Sequence, residues 1–71
     1  MKPLSGRQLV RLLEREGWVL KRIQGSHHIL IKPGTKVTIS VPVHGNKPLK
    51  VGLQKHLLKL ANLAQDDFAK A

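Results

Sequence analysis

Four histidines are the only side chains in this 71-residue chain whose ordinary titration falls near neutral pH, because there is no cysteine. His27 and His28 are adjacent and follow Gly25-Ser26, His44 opens the stretch His44-Gly45-Asn46-Lys47, and His56 follows Lys55. Carboxylates are scarce: Glu14 and Glu16 stand near the start, Asp66 and Asp67 near the end, and none lies between Gly17 and Gln65. A two-metal nuclease needs several carboxylates converging on one centre, which this distribution does not offer. Zinc needs clustered ligands, yet neighbouring strand residues such as His27 and His28 point to opposite faces. No metal and no cofactor is expected. A serine nucleophile would lack a carboxylate to orient its base. What remains is a reaction that needs one proton carrier on a positive surface. Cleavage of RNA by its own 2′-hydroxyl is such a reaction: the substrate brings the nucleophile, histidine moves the proton, and lysine and arginine stabilise the charged phosphorane.

His27 is the first candidate for the proton carrier. Glycine at 25 permits close approach of a phosphodiester backbone, and Ser26 offers a hydroxyl to phosphate. The same three residues also fit an ordinary hairpin turn followed by a solvated surface histidine. His28 reads as a half-buried strand residue and His56 as a solvent-facing helix residue. His44 sits in a loop that could reach a substrate. Trp18 could stack on a base, but with Phe68 as the other aromatic it reads as the main aromatic of the core.

Charge favours a polyanionic partner. Thirteen Lys and Arg against four Asp and Glu give a net charge of +9, and the acid-free middle carries Lys21, Arg22, Lys32, Lys36, Lys47, Lys50, Lys55 and Lys59. A one-sign surface repels itself on folding, so nucleic acid is the expected partner. Lys21, Arg22, Lys32, Lys36 and Lys47 are the expected phosphate contacts, with Gly25 and Ser26 beside them. Two other classes fit the same charge: a non-catalytic RNA- or DNA-binding module, and an adaptor whose basic patch meets an acidic protein.

The elements that must position these residues follow from periodicity. Ser5-Gly6-Arg7-Gln8 has capping-box spacing, Leu9, Leu12 and Leu13 form an apolar stripe, and Gly17 suits a left-handed helix end, which predicts a first helix over Gly6–Glu16. Trp18–Ile23, His27–Lys32 and Lys36–Val41 read as strands separated by Gln24-Gly25-Ser26 and Pro33-Gly34-Thr35 turns, with Val37, Ile39 and Val41 on one face of the third. Pro42–Pro48 reads as a loop. A second helix is predicted from about Lys50 to Ala61 on the stripe Leu53, Leu57, Leu60, with a further short turn of helix over Asn62–Phe68. The expected fold is α+β, α-β-β-β-α, with a three-stranded antiparallel sheet, the His27 strand central, and two helices on one face, like a double-stranded-RNA-binding domain. One domain over 1–71 is expected. No signal-like run and no apolar stretch of about 20 residues is present, so a soluble cytoplasmic protein is expected.

Taken together, Gly17-Trp18 after an amphipathic helix, Gly25-Ser26-His27-His28 opening a strand, and Val41-Pro42-Val43-His44-Gly45-Asn46-Lys47 before the second helix resemble the HicA toxins. The resemblance covers Leu4 to Leu63. Gly52-Leu53-Gln54 departs from the Gly-Thr-Leu frequent at the start of the family's second helix. The resemblance implies a ribosome-independent mRNA interferase on a double-stranded-RNA-binding-like fold, the toxin half of a type II toxin–antitoxin pair. It implies that the histidine after Gly-Ser, His27, is catalytic, and that a HicB-type antitoxin masks the site.

Overall fold

The structure, a computed structural model, describes residues 3–61. Its elements are α1 (Gly6–Arg15), β1 (Val19–Gln24), β2 (His27–Ile31), β3 (Thr38–Pro42) and α2 (Val51–Leu60), the expected α-β-β-β-α order. The strands form one antiparallel sheet in the order β1-β2-β3, so the His27 strand is central. The predicted final turn over Asn62–Phe68 lies outside the described residues. Among the described residues, no helix is long and apolar enough to cross a membrane.

Both ends of α1 are fixed by local chemistry. The Gln8 N–H donates to Ser5 Oγ (3.2 Å) and the Ser5 N–H donates to Gln8 Oε1 (3.0 Å), which satisfies two otherwise unpaired donors of the first turn. At the other end Gly17 adopts φ +99°, while Gly17 N–H donates to the Glu14 carbonyl (3.2 Å) and Trp18 N–H to the Leu13 carbonyl (2.9 Å). This paired closure turns the chain sharply and drops Trp18 onto Leu13, both buried. Trp18 therefore belongs to the helix end, and β1 begins one residue later than the alternation suggests. Its ring is in the core, 4% exposed, with Nε1 buried and unpaired among the described residues.

Leu30, Ile39 and Val41 cover one face of the sheet and pack with Leu9, Val10, Leu12 and Leu13 of α1 and Leu57 and Leu58 of α2 in one cluster. Two sequence expectations shift. Val37 is not in β3: its N–H donates to Thr35 Oγ1 (3.3 Å), and Thr35 in turn is tied to the Lys32 carbonyl, so the turn takes the donor a ladder would need. Val37 is accordingly exposed. In α2 the buried stripe is Gln54, Leu57, Leu58 and Ala61; of the expected Leu53, Leu57 and Leu60, Leu57 is buried, Leu53 is half-buried against the core and Leu60 is 43% exposed.

Gln54 explains the rotated stripe. Only 1% exposed, it accepts the Leu4 N–H through Oε1 at 2.8 Å. The Leu49 N–H donates to the Leu4 carbonyl (2.7 Å), and Ser5 bridges Pro48 antiparallel. The segment before α1 is thus stitched to the segment before α2, and a polar side chain inside the core accepts the bond that closes the stitch. A buried donor left without an acceptor costs its desolvation free energy. Gln54→Met keeps the side-chain volume but removes the acceptor; urea unfolding should show a loss of about 1–3 kcal/mol. An unchanged midpoint would show that this bond contributes nothing.

Candidate active site

His27 is the first residue of β2, directly after the two-residue turn Gly25-Ser26. Gly25 holds φ +58°, the left-handed conformation that tight hairpins demand and side chains disfavour. His27 is paired with Gln24 on one side and Pro42 on the other, and its side chain is exposed. Alternation then separates the two histidines. His28 shares the face of Leu30 and is half-buried, with Nδ1 unpaired among the described residues. His27, Ile29 and Ile31 lie on the opposite face, away from the helices.

A register shift in β1 decides what stands beside His27. Leu20 faces Leu30 and Arg22 faces Ile29, so Lys21 has no opposite number. This extra residue reverses the parity of the strand from there on. Arg22 consequently joins the His27 face, and Ile23 falls opposite His28 on the other. Arg22 lies two pairs from Gln24, the partner of His27, about 7 Å along the strand from the level of His27, within reach of a long side chain. Ser40, opposite Ile29 on β3, completes this open face around Ile29. The signal was present in the sequence: Leu20 and Ile23 have odd spacing, which an unbroken two-residue alternation cannot place on one face.

The remaining predicted contacts are dispersed. Lys47 is exposed and closes the turn after His44, its N–H donating to the His44 carbonyl (3.2 Å), near the His27 end of the sheet. Lys21 is exposed at the register shift. Lys32 and Lys36 are at the far end: Lys32 follows β2, about 17 Å from His27 at the usual strand rise. Lys32 Nζ lies 6.0 Å from the centroid of the Trp18 ring, at the limit of a cation–π contact. The structure thus brings together Gly25, Ser26, His27 and Arg22, with Lys21 and Lys47 at the margins, and leaves Lys32 and Lys36 apart. His44 is exposed in its loop, and His56 is exposed on α2. No group of three or more metal-ligating side chains occurs among the described residues.

What holds this end of the sheet is a backbone contact. A Cβ on Gly6 would fall on the Pro42 carbonyl and lie within 3.1 Å of Val43 Cα. The first residue of α1 therefore packs against the last residue of β3, the register partner of His27. Beyond Pro42 the Val43 N–H donates to the Ser26 carbonyl at 2.7 Å, which ties the same end of β3 to the turn before His27. Beside this junction lies a cavity of about 370 Å³ lined by Ser5, Arg7, Gln8, Arg11 and Asn46, none of which was among the predicted contacts.

Gly6→Ala places these effects in opposition. Alanine improves helix propensity by at most ~1 kcal/mol, but neither backbone can turn aside as a rotamer would. The variant should be less stable by about 1–3 kcal/mol, as for overpacking. Hydrogen exchange should also quicken at the Val43 amide; unchanged stability and exchange would refute the close contact.

A family model for the HicA toxin of bacterial toxin–antitoxin systems matches residues 6–63, most of the chain. The chain belongs to the HicA toxin family, as its residue pattern implied. No curated protein matches the chain.

Proposed function

We propose that this HicA-family chain is a metal-independent endoribonuclease that cuts mRNA, with His27 as its general acid–base residue. The observation that carries the reading is the placement of His27: exposed on the open face of the sheet, above a glycine turn, with Arg22 on the same face. A histidine with no part in the core and a cation beside it has the two attributes the reaction needs. The imidazole takes the proton of the RNA 2′-hydroxyl, and the 2′-oxygen attacks the adjacent phosphorus. The bond from phosphorus to the 5′-oxygen breaks, and that oxygen takes a proton from the His27 imidazolium, which restores the neutral imidazole. Products are a 2′,3′-cyclic phosphate and a 5′-hydroxyl. Arg22, the Ser26 hydroxyl, Lys21 and Lys47 stabilise the charge that accumulates on phosphorus, while Gly25 leaves room for the backbone. Lys32 and Lys36 serve a longer strand that runs the length of the sheet.

Family membership supports the rest of the reading. A HicB-type antitoxin masks the His27 face, and the protein acts as one domain in the cytoplasm, where mRNA is found. A non-catalytic RNA- or DNA-binding module would use the same basic face, and cleavage separates the two.

His27→Ala should lower cleavage of a labelled RNA by about 10²–10⁴-fold, the usual worth of a general acid or base, with RNA affinity little changed. Cleavage should persist in EDTA and leave cyclic phosphate ends. Wild-type turnover by the variant would remove His27 from the mechanism, and an RNA that is bound but never cut would favour the binding module. Affinity should also fall with salt at a log–log slope near −3, for about four phosphates at roughly 0.7 each; a flat response would eliminate nucleic acid as the partner.

A further inference from the structure

The cavity beside the Gly6–Pro42 junction presents hydrogen-bond donors and no carboxylate. Arg7 and Arg11 lie four residues apart on α1, about 6 Å along its axis, so both guanidinium groups project from one side of the helix. Among the described residues neither arginine makes an ion pair or a hydrogen bond. Two like charges at this spacing repel, and no acid in the first turn of α1 offsets them. The other lining groups add to the bias. Ser5 Oγ and Gln8 Oε1 already accept backbone N–H groups from each other, which leaves the Ser5 hydroxyl hydrogen and the Gln8 amide hydrogens to donate. Asn46, from the turn after β3, also lines the cavity and brings a further amide.

Such a set fits an anion with several acceptor oxygens, and a phosphodiester matches the fork of an arginine. Its position identifies the source. Ser5 and Arg7 flank Gly6, Gly6 packs on Pro42, and Pro42 is the register partner of His27. The cavity is therefore around the β3 edge from His27, at the same end of the sheet.

We propose that Arg7, Arg11 and Asn46 form a subsite for a flanking, non-scissile phosphate of the RNA strand that is cut at His27. The proposal rests on the reading of His27 as an RNA-cleaving residue. The strand crosses the end of the sheet, with one phosphate held on α1 and the scissile one on the open face. The arginines set how firmly and in what register RNA lies, and take no part in proton transfer.

The test uses Arg7→Gln/Arg11→Gln, at two exposed positions, with thermal unfolding to verify the fold, and Asn46→Ala as an independent variant. RNA binding is measured in a His27→Ala background, so that the strand stays intact. On an oligonucleotide of about ten residues, the double arginine variant should bind about 10-fold or more weakly, as for lost bonds to a charged group. Its salt slope should shrink by about 0.7, the share of one single-strand phosphate. With His27 present, kcat/KM on that oligonucleotide should fall through KM. The deficit should vanish on a dinucleotide, whose one phosphate is the scissile one. Unchanged RNA affinity and slope in both variants, with wild-type cleavage intact, would overturn the subsite and leave the nuclease reading standing. Loss of antitoxin binding alone would assign the arginines to a protein interface and overturn the proposal equally. A wild-type protein that neither binds nor cuts RNA would overturn both readings together.

Discussion

The close approach of Gly6 to the Pro42 carbonyl is the contact on which the arrangement of this molecule depends. A ten-residue helix and a five-residue strand have little surface with which to find each other. A chain of this size also has a thin core, so orientation cannot be left to apolar burial alone. Backbone against backbone removes the slack that a side chain would introduce. Because Pro42 is paired with His27, the same contact relates the helix to the strand that carries the histidine. The Val43–Ser26 hydrogen bond extends that link to the turn, and the Leu4–Gln54 bond anchors the chain just before Gly6. Helix start, strand end and hairpin turn are consequently one mechanical unit.

Much of the fold was legible because local and global signals agreed. Ser5 and Gln8 announced the start of α1, Gly17 its end, and Gly25 the hairpin, each through chemistry confined to a few neighbouring residues. Errors arose where a distant partner overrode the local pattern. Leu60 fits a helical apolar stripe as well as Leu58 does, and only the tie between Gln54 and Leu4, fifty residues apart, selects the face that turns inward. Val37 continues an alternation perfectly, but the Thr35 hydroxyl had already claimed its N–H.

The site was legible in part for the same reason. His27 stands beside its turn in the sequence, so its neighbourhood with Gly25 and Ser26 is local. Arg22 reaches the same face only because Lys21 is an extra residue in β1, and Asn46 meets Arg7 and Arg11 only through the packing of α1 on β3. Lys32 and Lys36 illustrate the converse: proximity in a basic stretch of sequence did not survive the length of an extended strand.

The register shift at Lys21 bears on the behaviour of the protein among its own copies. A three-stranded sheet has two open edges, and an open edge is a template for another strand. On β1 that edge is interrupted by a residue without an opposite number, and its two central side chains, Lys21 and Arg22, are both cationic. A second copy approaching in register would meet a broken ladder and like charge. The irregularity that turns an arginine toward the histidine thereby also makes the β1 edge a poor template for a second strand.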